Sequence, residues 1–209
     1  MRGRRRILLA LAAVLATSGA AAAEQVQVLL SDRLAAQQDR ISLMEQRQAL
    51  FLRNRIKFAL SPARLAEEEA RTEQADYQID HLLRRILEDA LVQAQIRFEG
   101  TVQVTLERLS VPDFPAAAVA GAVLSARGTV RLIAPDGTVL ESHQVGVPYI
   151  RRITRSFRYD GPHTDFLPVE ERARLLPMLT YFAEAVLEAV FPEREDAIPG
   201  AITLQRRVF

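Results

Sequence analysis

The sequence predicts an α+β fold: an antiparallel sheet of three to four strands packed on one face by helices, with an N-terminal helical segment. Three observations carry it. Between residues 101 and 149 apolar and polar side chains alternate in runs separated by turn residues, the period of strands buried on one side only. Before and after that region, apolar residues recur at helical spacing in broad stripes. The chain has no cysteine, so the fold must rest on its hydrophobic core without disulfides.

The chain opens "MRGRRRILLALAAVLATSGAAAAEQ". Arg2, Arg4, Arg5 and Arg6 make a basic head, Ile7 to Ala16 is an uninterrupted apolar run, and small residues follow. That order is the pattern of a secretory signal peptide over residues 1–23, with the cut before Glu24. A spanning helix needs about 20 apolar residues. This run reaches that length only by counting Thr17, Ser18 and Gly19, so an uncut anchor is the alternative. General secretion is the expected route, because nothing after the paired arginines supports twin-arginine export. The expectation is a periplasmic, soluble protein with no stable membrane span after cleavage. Removal of the leader leaves roughly 186 of the 209 residues, enough for a single domain over 24–192 and a tail over 193–209.

Within that domain, residues 31–98 read as helical, 101–149 as antiparallel strands and 169–191 as a helix. Gln25 to Leu30, "QVQVLL", alternates and predicts a short first strand. Ser31 or Asp32 can cap a helix running to about Leu60, with Leu34, Ile41, Met44, Phe51 and Phe58 in a narrow apolar stripe. Such a stripe docks on the protein's own core or on a partner helix. "SPAR" at 61–64 breaks and restarts the helix: Ser61 can cap, and Pro62 suits the first helical position, where an N–H is not needed. From Tyr77, the residues Ile79, Leu82, Leu83, Ile86, Leu87, Ala90, Leu91 and Ala94 form a broad core stripe, which Gly100 is expected to end.

Three strands follow. In "TVQVTLERLSV", Val102, Val104 and Leu106 share a side, and the apolar phase then shifts to Leu109 and Val111. A phase shift within a strand predicts a bulge around Glu107 and Arg108. "VLSARGTVRLIAPDGTVLESHQVGVPY" reads as two alternating runs joined at Ala134-Pro135-Asp136-Gly137, where proline presets φ and glycine accepts a positive one. Leu124, Ala126, Val130 and Leu132 face one way; Ser125, Arg127, Thr129 and Arg131 face the other and leave one side of the sheet wet. In the last helix, Leu175, Leu176, Leu179, Phe182, Ala183, Val186, Leu187 and Val190 make the buried face, Pro177 is expected to kink or divide it, and Pro192 to stop it. The tail ends in a short strand-like run.

The charge balance narrows the partners. The chain has 27 basic and 26 acidic residues; loss of Arg2, Arg4, Arg5 and Arg6 with the leader leaves 23 basic, a net charge of −3. A general nucleic-acid binder would be clearly basic, so nucleic acid is not expected as a partner. Lys57 is the only lysine. That reads as coding bias, or as use of the arginine fork for anions.

Chemical motifs are sparse. "IRRITRSFRYDG" sets Arg151, Arg152, Arg155 and Arg158 beside Phe157 and Tyr159, a combination that binds phosphates or sugars by forked hydrogen bonds and stacking. The same arginines could instead pair with Glu170 and Glu171 in a solvated loop. "YDGPHTDF" gathers Asp160, His163 and Asp165, which suit proton transfer or a divalent ion, although Asp-Gly-Pro is also a turn in its own right. His81 sits beside the apolar face of its helix, and His143 on the strand face of Val139, Val145 and Val147, where a structural role is expected. With three histidines and no cysteine, a zinc site would need mostly carboxylates. The phosphate-loop glycine motif, the Gly-x-Ser-x-Gly elbow and His-Glu-x-x-His are all missing, so no catalytic residue, metal or cofactor is expected.

From about Tyr77 to Phe191 the order is helix, three antiparallel strands, helix. The strand texts "TVQVTLERLSV" and "ARGTVRLIAPDGTVLESHQV", with an Asp-Gly turn followed by apolar Val139 and Leu140, resemble small bacterial periplasmic domains of two kinds. These are the ABC-type transport auxiliary lipoproteins and the amino-terminal domain of TolB. The resemblance covers a little over half the chain and lacks the lipoprotein cysteine. It implies a non-catalytic accessory or binding role in envelope transport or assembly, with an envelope protein or an anionic lipid or glycan as partner. The alternatives are a periplasmic enzyme using His163 with Asp160 or Asp165, and a protein that docks a partner through the stripe containing Phe51.

Overall fold

Alternation decides which side of each strand meets the helices. The computed structural model describes residues 25–56, 61–64, 66, 67, 70, 76–111, 124–150 and 175–198. Its elements are β1 (Val26–Leu30), α1 (Asp32–Ile56), α2 (Ile79–Gln93), β2 (Thr101–Ser110), β3 (Leu124–Ile133), β4 (Val139–Ile150) and α3 (Leu175–Val190), followed by a 3-10 helix (Pro192–Ala197). The α+β class, the strands and the one-sided helical cover are as the sequence predicts. The four strands lie in chain order, β1-β2-β3-β4. β2, β3 and β4 form an antiparallel meander, whereas β1 joins β2 in parallel, Val26 beside Val102 through Leu30 beside Leu106. A parallel neighbour cannot be reached by a tight turn, and here the helical stretch between β1 and β2 makes the crossover.

One face of the sheet is dry. Val102, Val104, Leu106, Ala126, Val130, Leu132, Val145 and Val147 are buried there. α2 lies over β1, α3 lies over β3 and β4, and the two helices pack against each other. The stripe from Ile79 to Ala94 is buried throughout, as is the whole expected face of α3 from Leu175 to Val190. Phe182 has no exposed surface and presses on the sheet where β3 carries Gly128. A Cβ at 128 would stand 2.4 Å from the Thr105 carbonyl and 3.1 Å from the Phe182 ring, so the glycine admits the close approach of β2 first and the ring with it. At the far end of α3, Phe191 meets Phe98 edge to face, with centroids 6.1 Å apart.

Two element ends differ from expectation. α2 stops at Gln93, well before Gly100. The Ile96 N–H bonds the Leu91 carbonyl (3.0 Å), the Gln95 N–H bonds that of Val92 (3.1 Å), and Gln95 takes φ 52°. This is a Schellman stop, complete with its apolar contact, since Leu91 and Ile96 are both buried. Its left-handed residue is a glutamine where a glycine is usual. α3 runs unbroken past Pro177. The Leu175 N–H donates to Glu45 Oε2 (3.4 Å), so Pro177 falls in a first turn, where its missing N–H costs no helical bond. Residues 169–174 of the expected helix lie outside the described residues.

α1 is held partly by polar contacts. Leu34 and Ile41 of its stripe are buried and Met44 is half-buried; the side chains of Phe51 and Phe58 are outside the described set. Ser42 and Glu45 are buried as well. Ser42 Oγ donates to the Tyr77 carbonyl (2.6 Å), and Gln38 Nε2 donates to Gln78 Oε1 and Asp80 Oδ1. After the break, residues 62–64 are helical and Ser61 Oγ accepts from the Arg64 N–H at 3.5 Å, the expected cap. Among the described residues no helix is long and apolar enough to cross a membrane.

Candidate functional site

The bulge shapes a part of the sheet where charged groups gather. β2 pairs Leu106 with Gly128 and then Arg108 with Arg127, leaving Glu107 as the extra residue. Before it, Gln103, Thr105 and Glu107 face away from the helices. After it the phase is reversed, so Leu109 is buried and Arg108 joins Glu107 on the open side. The bulge is clamped from the β1–α1 turn. The Ser31 N–H donates to the Leu106 carbonyl and Ser31 Oγ to that of Glu107, both at 3.0 Å. Ser31 also caps α1: its carbonyl accepts from Leu34 and Ala35 at 2.9 and 2.8 Å. The start of α1 is thereby fixed beside the bulge.

A groove of about 360 Å³ results, lined by Arg33 and Gln37 of α1, Glu107 and Arg108 of β2, and Arg127 of β3. The three arginines are exposed; Gln37 and Glu107 are half-buried. Glu107 Oε1 accepts from Thr129 Oγ1 (2.8 Å), and Thr129 Oγ1 accepts in turn from Gln144 Nε2 (2.7 Å). Gln103 Nε2 donates to Gln27 Oε1 across β1 and β2 (2.7 Å). The open face is therefore a hydrogen-bonded polar surface, as the alternation of β3 predicts.

A second cavity, about 680 Å³, lies at the opposite end of β2, against the end of α2. Among the described residues, Arg97 is the only charged side chain in its lining. Arg194 Nη2 donates to the Gln95 carbonyl at its rim (3.3 Å).

The two described histidines are both hydrogen-bonded. His81 is exposed, with Nδ1 2.8 Å from Asp76 Oδ2; Asp76 Oδ1 accepts from the Gln78 N–H at 2.9 Å, so this carboxylate ties down the start of α2. His143 is half-buried, with Nε2 3.0 Å from Glu141 Oε2. It sits on the core side of β4 but beyond the helical cover, where Val139 is already 49% exposed. Among the described residues no three histidine, aspartate or glutamate side chains are placed to hold a metal ion. Glu188 of α3 has its carboxyl pushed above the usual range, by burial first and then by Glu184 and Glu195, but it borders neither cavity.

The anion patch expected at Arg151, Arg152, Arg155 and Arg158 and the loop of Asp160, His163 and Asp165 lie outside the described residues. Arg33, Arg108 and Arg127 are far apart in sequence and nothing in their spacing groups them. The one signal is the phase shift at Glu107 and Arg108, which turns a second charged side chain of β2 to the open face. Among the described residues, fold and groove together define a class: an α+β layer with helices on one face, whose other sheet face is polar and carries a basic groove at a bulge. No family model, curated protein or solved structure matches the chain.

Proposed function

We propose that this protein is an exported, non-catalytic binding or accessory factor of the bacterial cell envelope, acting in transport or assembly in the periplasm. The observation that carries the reading is the leader, a basic head followed by an apolar run and small residues. The free polar face of the sheet supports it, because a layer covered on one side only keeps a broad surface for a partner. So does the likeness of layout to transport auxiliary lipoproteins and the TolB amino-terminal domain. The partner is an envelope protein or an anionic lipid or glycan.

Expression of the full chain in a bacterial host, followed by cell fractionation and intact-mass measurement, tests it. The expected product is periplasmic and begins at Glu24. A cytoplasmic product that retains Met1 would remove the basis for the reading. The non-catalytic part is tested by His163→Ala: a cellular phenotype of the gene should survive that change, and its loss in a folded variant would favour an enzyme.

A further inference from the structure

We infer that the groove at the β2 bulge is a binding site for a phosphate group, held by the guanidinium groups of Arg33, Arg108 and Arg127. The inference goes beyond the proposed function and does not depend on export. Two observations carry it. Arg108 and Arg127 are direct cross-strand partners on the open face. Like charges placed opposite one another destabilise a sheet. The Ser31 clamp places a third arginine, Arg33 of α1, at the same groove.

The second observation is that, among the described residues, nothing compensates the charge. No carboxylate among the described residues forms an ion pair with Arg33, Arg108 or Arg127. Glu107, the only acid among the described lining residues, engages Thr129 through its Oε1. An anion in the groove converts the repulsion into forked, charge-assisted hydrogen bonds, the geometry in which arginine surpasses lysine. Gln37 adds an amide that can donate to the same oxygens. At about 360 Å³ the groove admits a phosphate with a modest attached group. That phosphate can belong to a free phosphorylated compound or to a lipid headgroup.

The test uses the full chain purified in phosphate-free buffer at low ionic strength. Pyrophosphate is titrated while the arginine Nε–H signals are followed by NMR. Binding to phosphatidylcholine vesicles is measured with and without phosphatidic acid. The variants are Arg108→Gln and Arg127→Gln, with Arg97→Gln as an equal loss of charge outside the groove. Saturable pyrophosphate binding, weakened about tenfold or more by either groove variant and unchanged in Arg97→Gln, is expected for a free phosphorylated ligand. Binding only to vesicles containing phosphatidic acid, with the same pattern of loss, identifies a headgroup. Failure of both probes, or equal weakening by all three variants, overturns the site. Urea unfolding gives a readout independent of affinity: without anion, Arg127→Gln should have a higher midpoint than the natural chain. Pyrophosphate should raise the midpoint of the natural chain and of Arg97→Gln equally, and that of the groove variants less. A variant with a lower midpoint in the absence of anion would refute the repulsion on which the site rests.

Discussion

Gln95 is a residue at odds with its backbone. Its φ of 52° is the left-handed conformation, which costs a side-chain-bearing residue about 1–2 kcal/mol. The position is fixed by its neighbours, because Leu91 and Ile96 are buried together and the two Schellman bonds close around them. Arg194 adds a bond to the Gln95 carbonyl, which any residue there would keep. Gln95→Gly should therefore stabilise the protein by about 0.5–1 kcal/mol, after allowance for the greater freedom of glycine in the unfolded chain. The measurement is the urea midpoint; a lower midpoint for the variant would mean that the glutamine side chain stabilises through its own contacts. The same residue explains a failure of legibility. A helix stop is read from glycine, so the sequence points to Gly100, while the actual stop is a glutamine held by tertiary contacts.

At the scale of elements, strands and helices were readable wherever apolar period and turn chemistry agreed. The hairpin shows this best. Ala134, Asp136 and Gly137 do what their types suggest: the Gly137 N–H bonds the Ala134 carbonyl (2.9 Å), Gly137 takes φ 88°, and Asp136 Oδ1 accepts from the Thr138 N–H (2.8 Å). The bulge was readable for a similar reason, since a change of phase in a half-buried strand has few other causes. The parallel pairing of β1 was not, because alternation is the same in parallel and antiparallel edge strands. The hairpin carries a pH dependence whose sign follows from the Thr138 bond. That bond, the main cause, holds the Asp136 carboxyl below its ordinary value of 3.8. A depressed carboxyl contributes stability above its unfolded pKa and loses it as the pH falls through the folded one. Acidification through the depressed pKa should thus weaken the Asp136–Thr138 bond, and the Thr138 amide shift should titrate with a midpoint below 3.8. In Asp136→Asn the titration should vanish. A Thr138 midpoint above the ordinary value would contradict the assignment.

Over the whole molecule, stability is unevenly distributed, and the site lies where two regimes meet. The sheet, α2 and α3 share one apolar core. Among the described residues, α1 rests on it through Leu34 and Ile41 and is fastened by Ser31, Gln38, Ser42 and Glu45. These polar clasps were not legible, because a serine or glutamate on a helix gives no sign of the distant backbone group it will meet. The arginine groove was hidden for the same reason: it exists only once the Ser31 clamp sets α1 beside the bulge. Glu45 is the clasp with most at stake. It is buried, and its carboxylate meets the N–H of Leu175 at the start of α3, where the helix dipole favours negative charge. Removing it strips a buried N–H of its acceptor, at a cost of about 1–3 kcal/mol. The loss should fall on the fastened helix and spare the shared core, since among the described residues only Leu34 and Ile41 of α1 are buried apolar side chains. Hydrogen exchange on Glu45→Ala should therefore show faster exchange along α1 and in the first turn of α3. Amides of Val104 and Val130 at the sheet centre should keep their protection. Equal loss of protection at all these positions would mean that α1 unfolds only with the core. Selective loss would identify the clasped helix as the element able to move against the sheet, carrying Arg33 with it.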